Sequence, residues 1–235
     1  MKNFIAASLI AADFWSLSKE FKKLERTQVK WIHYDIMDGH FVPNISVGSC
    51  ELSSFIKKSN IDVDIHFMVK NPDIIVPNFI KMFKSRKLKN ITVHAETCKD
   101  VKKLSKITRK NNIKFGLAIS PESSIKKIIN NIKYIDLALI MTVKPGFAGQ
   151  DIINNCINKV KSLSNFFNEN NINIPIQVDG GIKLKNISLL SDAGANIFVS
   201  GTGIFKSNNY KVTVCLLYTS PSPRDLSTSR MPSSA

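Results

Sequence analysis

Residues 31–41 read Trp31-Ile32-His33-Tyr34-Asp35-Ile36-Met37-Asp38-Gly39-His40-Phe41, and the fold turns on their first seven. The run has strand character, and successive strand side chains point to opposite faces. Ile32, Tyr34 and Ile36 therefore share one apolar face, while His33, Asp35 and Met37 share the other. A strand apolar on one side and carrying an imidazole, a carboxylate and a thioether on the other implies two interiors, one ordinary and one chemical.

Comparable runs recur along the chain: FIAASLI before it, then IDVDIHFMV, NITVHA, KFGLAIS, IDLALIMTV, IPIQVDGG and NIFVSG. Helical periodicity lies between them, near 16–27, 49–59, 73–87, 98–112, 122–132, 151–170 and 185–193. Strand–helix alternation builds a parallel sheet with helical crossovers. Eight such strands in one chain predict closure into a single (β/α)₈ TIM barrel, whose site forms where strands run into the following loops. A doubly wound open sheet is the alternative, but no glycine-rich turn follows the first strand.

Composition narrows the class. With 235 residues and 43% hydrophobic side chains the chain supports one sizeable core. The apolar start MKNFIAASLIAADFW imitates a signal peptide, but reads better as a buried first strand. Four cysteines, Cys50, Cys98, Cys156 and Cys215, stand far apart and imply free thiols rather than a disulfide frame. No apolar run has the length of a membrane span, and the lack of a targeting segment favours the cytoplasm. The formal net charge of +15 raises nucleic acid as a partner. The lysines, however, are spread over amphipathic helices without a stacking platform, so no nucleic-acid role is expected, and a basic surface suits a phosphorylated metabolite.

The expected barrel spans 1–211. From about Val212 the chain turns rich in Ser, Pro and Thr, and 212–235 reads as a disordered, non-native tail that leaves the last helix truncated.

At strand ends, His33, Asp35, His66 and Asp179 would converge on one mouth, a mixed nitrogen–oxygen set suited to Zn²⁺, Fe²⁺, Mn²⁺ or Co²⁺. His94 is read as core packing or a buried hydrogen bond. Glycines follow strands six to eight as Gly146 with Gly149, Gly180-Gly181, and Gly201-Thr202, and three such loops in succession point to a phosphate cradle.

IAASLIAADF, WIHYDIMDGHFVPN, DIHFMVKNP, ITVHAE, IMTVKPGFAGQ, VDGGI and FVSGTGIF, in that order, resemble the signature segments of the ribulose-phosphate 3-epimerase family from about residue 4 to 210. The resemblance implies interconversion of D-ribulose 5-phosphate and D-xylulose 5-phosphate through a 2,3-enediolate. Asp35 and Asp179 would be the two acid–base groups, and one divalent ion would be held by His33, Asp35, His66 and Asp179. It further implies that Ser8, His66, Met37, Met68 and Met141 meet substrate. Gly146, Phe147, Ala148 and Gly149 would close over it, and Gly180, Gly181, Gly201 and Thr202 would hold its phosphate. A homo-oligomer, dimer or hexamer, is implied as well. Alternatives are an allulose-6-phosphate 3-epimerase-like enzyme and a non-catalytic sugar-phosphate-binding homologue. Departures from the family pattern include Ala7, Lys144, Thr202, and Ala148 for a usual glycine, which would strain the loop if that backbone required positive φ.

Overall fold

The computed structural model describes residues 3–83 and 85–219. Eight parallel strands close into a barrel in sequence order, β8 pairing back onto β1. They are β1 (Phe4–Ser8), β2 (Trp31–Met37), β3 (Asp62–Met68), β4 (Leu88–His94), β5 (Lys114–Ile119), β6 (Leu137–Met141), β7 (Ile176–Asp179) and β8 (Ile197–Ser200). The crossovers carry α1 (Leu17–Leu24), α2 (Ser49–Lys58), α3 (Pro72–Met82), α4 (Val101–Lys110), α5 (Lys126–Ile129), α6 (Asn155–Glu169), α7 (Ile187–Ala193) and α8 (Thr202–Phe205), with α9 (Tyr210–Thr219) last. The predicted barrel is the observed one. Among the described residues no helix is long and apolar enough to cross a membrane.

Alternation along the strands produces two different interiors. Ile32, Tyr34, Val63, Ile65, Phe67, Ile91 and Val93 face outward and join one core with helix residues such as Leu24, Leu52, Val76 and Leu104. Inside the barrel, β5, β6 and β8 contribute Ala118, Leu137, Leu139, Met141 and Ile197. The interior of β2–β4 is polar instead: His33, Asp64, His66, Asn90, Thr92 and His94 are all fully buried. Gly116 on β5 makes room for this half, because a Cβ there would lie 2.3 Å from the Thr92 hydroxyl oxygen.

Two expectations need correction. The helix expected over 122–132 is the single turn α5 followed by a 3₁₀ turn at Ile132–Tyr134. More important, the last helix is not truncated at 211. Residues Tyr210–Thr219 form α9, which packs on β1, α1 and α8. Tyr210, Val214 and Leu217 are buried at helical spacing, a period masked in the sequence by β-branched residues and the change of composition. The Tyr218 hydroxyl accepts from the Ile5 N–H at 3.2 Å and donates to the Gln28 carbonyl at 2.9 Å, tying α9 to the first strand. The rest of the expected tail, 220–235, lies outside the described residues.

Leu217→Ala tests the correction. Cutting back a buried leucine on a structural helix should lower unfolding free energy by about 2–5 kcal/mol in denaturant titrations, whereas a dispensable tail would give no change.

Candidate active site

β2 and β3 lie in a register that sets His33 beside Asp64 and Asp35 beside His66, while the β6–β7 pairing sets Met141 beside Asp179. The four expected ligands thus meet at the strand ends, their nearest nitrogen and oxygen atoms within 4.8 Å of one another. His33 Nε2 lies 3.3 Å from Asp35 Oδ1 and 3.4 Å from Asp179 Oδ2. His66 Nδ1 lies at the same two distances from the same two oxygens. His33 Nε2, His66 Nδ1 and Asp35 Oδ1 are buried and make no hydrogen bond, although a buried polar atom normally finds a partner. They face a shared point rather than pairing with each other. Two imidazole nitrogens and two carboxylate oxygens so arranged fit a divalent cation of the zinc, iron, manganese or cobalt type.

Three of the four candidate ligands are held from behind. The Ser8 hydroxyl donates to Asp35 Oδ2 at 2.8 Å. His33 Nδ1 lies 2.8 Å from Asp64 Oδ2, which also accepts from Gln177 Nε2 at 2.6 Å, and Asp64 Oδ1 accepts from Asn90 Nδ2 at 2.7 Å. His66 Nε2 lies 3.0 Å from His94 Nε2, and His94 Nδ1 lies 3.1 Å from Glu96 Oε2. Asp64, Asn90, Gln177 and Glu96 were not anticipated from the sequence, and His94, expected as core packing or a buried hydrogen bond, is the second. The signal was period two: Asp64 shares the face of His66, and Asn90 and Thr92 share that of His94.

Charge in this cluster is strongly coupled. Burial pushes His33 down, but Asp35, Asp64 and Asp179 outweigh it and hold the imidazole well above its ordinary value. His66 is likewise opposed by burial and raised overall by Asp179 and Asp35. Burial works against the Asp35 and Asp179 carboxylates, yet the two imidazoles bring both below the usual carboxylate range. His94 behaves oppositely, burial taking it down to about 4 despite Glu96, so it is neutral at pH 7. Glu96, though disfavoured by burial, is brought to about 2 by hydrogen bonds from His94, Ser123 and Ser120.

Above the cluster opens the cavity that Ser8, Asp35, Met37, Met68, Met141 and Asp179 line from below. Gly146, Phe147, Ala148 and Gly149 line one side, and Gly180, Gly181, Gly201 and Thr202 another. The cavity thus gathers the expected substrate contacts except His66, which lies buried beneath it. Ile10, Val143, Lys144 and Gln150 line it too and were not anticipated. The loop after β6 is stapled by Gln150 Nε2, which donates to the Lys144 and Phe147 carbonyls, and by Asn44 Nδ2, which donates to the Gly146 carbonyl. Gly146 and Gly149 have φ of 120° and 87°, whereas the non-glycine residues with positive φ among those described are Asn112 and Asn171. Ala148 therefore imposes none of the anticipated backbone strain. Asp38 stays outside the cluster and shapes the loop after β2, accepting from the N–H groups of His40, Phe41 and Lys70.

Barrel and cluster together define a (β/α)₈-barrel enzyme with its polar centre at the C-terminal ends of the strands. The sequence profile of the Ribulose-phosphate 3 epimerase family matches residues 4–205. The ribulose-phosphate 3-epimerase of Buchnera aphidicola is 36% identical over 215 residues, 91% of this chain and 92% of that protein. That of Bacillus subtilis is 32% identical over 211 residues, 89% and 95% of the two chains. The chain belongs to the ribulose-phosphate 3-epimerase family. At the level of fold alone it is similar to 3-hexulose-6-phosphate synthase from Salmonella typhimurium, with a TM-score of 0.64, 13% identity, and coverage of 94% of this chain and 98% of that one.

The raised imidazoles generate opposite pH trends. Their protonation stabilises the metal-free fold below the unfolded imidazole value near ~6.5, and this contribution is lost as pH rises through the higher folded values. Metal binding needs bare nitrogens, so zinc affinity should rise with pH. Calorimetry at pH 7 in buffers of different ionisation enthalpy should register about one to two protons released per ion bound; buffer-independent heats would contradict it.

Proposed function

We propose that this chain inverts C3 of a ketopentose phosphate, interconverting D-ribulose 5-phosphate and D-xylulose 5-phosphate. The observation that carries the reading is the Asp35–Asp179 pair, two buried carboxylates meeting the same two imidazoles in the floor of one cavity. Inversion next to a ketone requires a proton to leave one face of the carbon and return on the other. One carboxylate takes the C3 proton, leaving a 2,3-enediolate, and the other, protonated, delivers its proton to the opposite face. The roles exchange with direction.

Against burial, the two imidazoles lower both carboxylates, and the charge of Asp35 opposes that lowering at Asp179, which sets the pair apart. A divalent ion, Zn²⁺ or alternatively Fe²⁺, Mn²⁺ or Co²⁺, held by His33, Asp35, His66 and Asp179, would supply Lewis-acid stabilisation of the developing oxyanion. Ser8 fixes the Asp35 carboxylate by its 2.8 Å hydrogen bond, leaving Oδ1 to face the imidazoles. Met37, Met68 and Met141 give the reacting carbons a dry, polarisable wall. Backbone N–H groups of Gly180, Gly181, Gly201 and Thr202 would receive the phosphate at the far side of the cavity. The loop bearing Phe147, a residue 55% exposed, would close over the sugar and exclude water. A homo-oligomer working in the cytoplasm belongs to the same proposal and rests on the family likeness.

The test is conversion of ribulose 5-phosphate followed by a coupled assay, with deuterium entry at C3 measured in D₂O. Asp179→Asn should keep the fold and lose roughly 10²–10⁴-fold in kcat, the usual weight of a positioned proton-transfer group. A folded protein that turns over allulose 6-phosphate with the higher kcat/KM would move the reading to hexulose phosphates, and turnover of neither to a binding homologue.

A further inference from the structure

The reading of His33, Asp35, His66 and Asp179 as metal ligands leaves His94 and Glu96 without a role, though both are joined to the cluster. His66 and His94 meet edge to edge: their Nε2 atoms are 3.0 Å apart, their ring centroids 5.0 Å apart and their planes within 21°. One proton fits between two such nitrogens, so the pair has a direction. Glu96 sets it. Its Oε1 accepts from the Ser120 N–H at 2.9 Å and its Oε2 lies 3.1 Å from His94 Nδ1. A carboxylate held as an acceptor at both oxygens requires the His94 proton on Nδ1. His94 Nε2 then bears a lone pair, the proton between the rings belongs to His66 Nε2, and Nδ1, toward Asp35 and Asp179, is the His66 nitrogen that gives up its proton when a cation binds. Phe41 packs on the His94 ring, with centroids 4.6 Å apart, and holds its plane.

We propose that Glu96 and His94 are positioning residues, a directional hydrogen-bond relay that fixes His66 in the one tautomer able to offer Nδ1 to a divalent cation. The relay rests on the metal-site reading and assigns the cause of its unusual asymmetry. His33 presents Nε2 with Asp64 behind Nδ1, whereas His66 presents Nδ1 with His94 behind Nε2. Asp64 can orient its histidine directly. His66 needs an intermediary because its rear nitrogen faces another imidazole, and that imidazole needs Glu96 to settle its own proton.

Glu96→Gln is the decisive variant because it keeps size and reverses polarity. The Ser120 N–H retains the amide oxygen, so the amide NH₂ faces His94 Nδ1 and turns it into an acceptor. The His94 proton moves to Nε2, His66 must accept there, and its own proton goes to Nδ1, where it blocks the ligand position. His94→Gln preserves the original direction, with amide oxygen toward His66 and NH₂ toward Glu96, whereas His94→Phe keeps the ring packing and removes the relay. The measurement is Zn²⁺ affinity by competition with a chromophoric chelator, with the Co²⁺ ligand-field spectrum and the metal-free Tm recorded beside it.

Glu96→Gln and His94→Phe should bind Zn²⁺ about 10–100-fold more weakly, the usual effect of losing a partner behind a ligand. The metal-free Tm of Glu96→Gln should stay close to wild type, that of His94→Phe should fall because His66 Nε2 loses its acceptor, and His94→Gln should keep near wild-type affinity. Unchanged affinity in Glu96→Gln would overturn the relay, as would equal losses in His94→Gln and His94→Phe, which would mark His94 as packing alone. Should Glu96→Gln not fold, the two His94 variants decide by the same comparison. A wild-type protein that binds neither ion would overturn the metal reading itself, an outcome distinct from tight wild-type binding with no effect of the variants.

Discussion

Burying charge inside a barrel is the constraint on which the rest of this molecule depends. Asp35, Asp64 and Asp179 are all removed from water, and an isolated buried carboxylate is too costly to persist. The compensation is local: His33 sits between Asp64 on one nitrogen and the Asp35–Asp179 pair on the other. Asn90 donates to the other oxygen of Asp64 from the neighbouring strand, and Gln177 donates from across the barrel to the oxygen that His33 already meets. Since every such partner must come from an inward position, β2–β4 surrender their inner face to polar side chains. The apolar interior lies mainly on β5, β6 and β8, joined by Met37 and Met68 at the ends of β2 and β3, and the outer core with its helices carries the hydrophobic stabilisation.

That division explains what could be read in advance. Alternation in WIHYDIM separates an apolar from a chemical face without any coordinates, and repetition of the strand–helix unit gives the barrel. The four ligand positions follow, because residues at strand ends in a parallel barrel have one place to converge. Partners behind them do not follow. Asp64 lies two residues before His66 on the same face, but only the β2–β3 register sets it beside His33. His94 was legible as a buried hydrogen-bonded histidine, and it is one. Which ring it touches, and which way the protons point, are properties of assembled strands. The closing helix was obscured for another reason. KVTVCLLY carries β-favouring residues and precedes a composition shift, while its four-then-three spacing from Tyr210 to Val214 to Leu217 yields its meaning only against a surface to cover.

The loop after β6 shows how a departure from an expected pattern can be harmless. Backbone that needs the left-handed region is supplied by Gly146 and Gly149, and Ala148 lies between them in ordinary conformation. Gln150 and Asn44 hold carbonyls of the same loop, so its shape comes from side-chain staples more than from glycine content.

The bond from Ile5 to Tyr218 joins residues 213 positions apart, alongside the β1–β8 seam. During synthesis the first strand therefore waits for nearly the whole chain, with one edge unpaired, before its other neighbour and its covering helix exist. Asp35 waits as well, since Asp179 arrives on the seventh strand. A nascent chain stalled before that point would carry an open sheet edge and a half-built acidic pocket together, the combination on which chaperones and proteases act. The active centre and the barrel seam are thus both completed only by the C-terminal part of the chain.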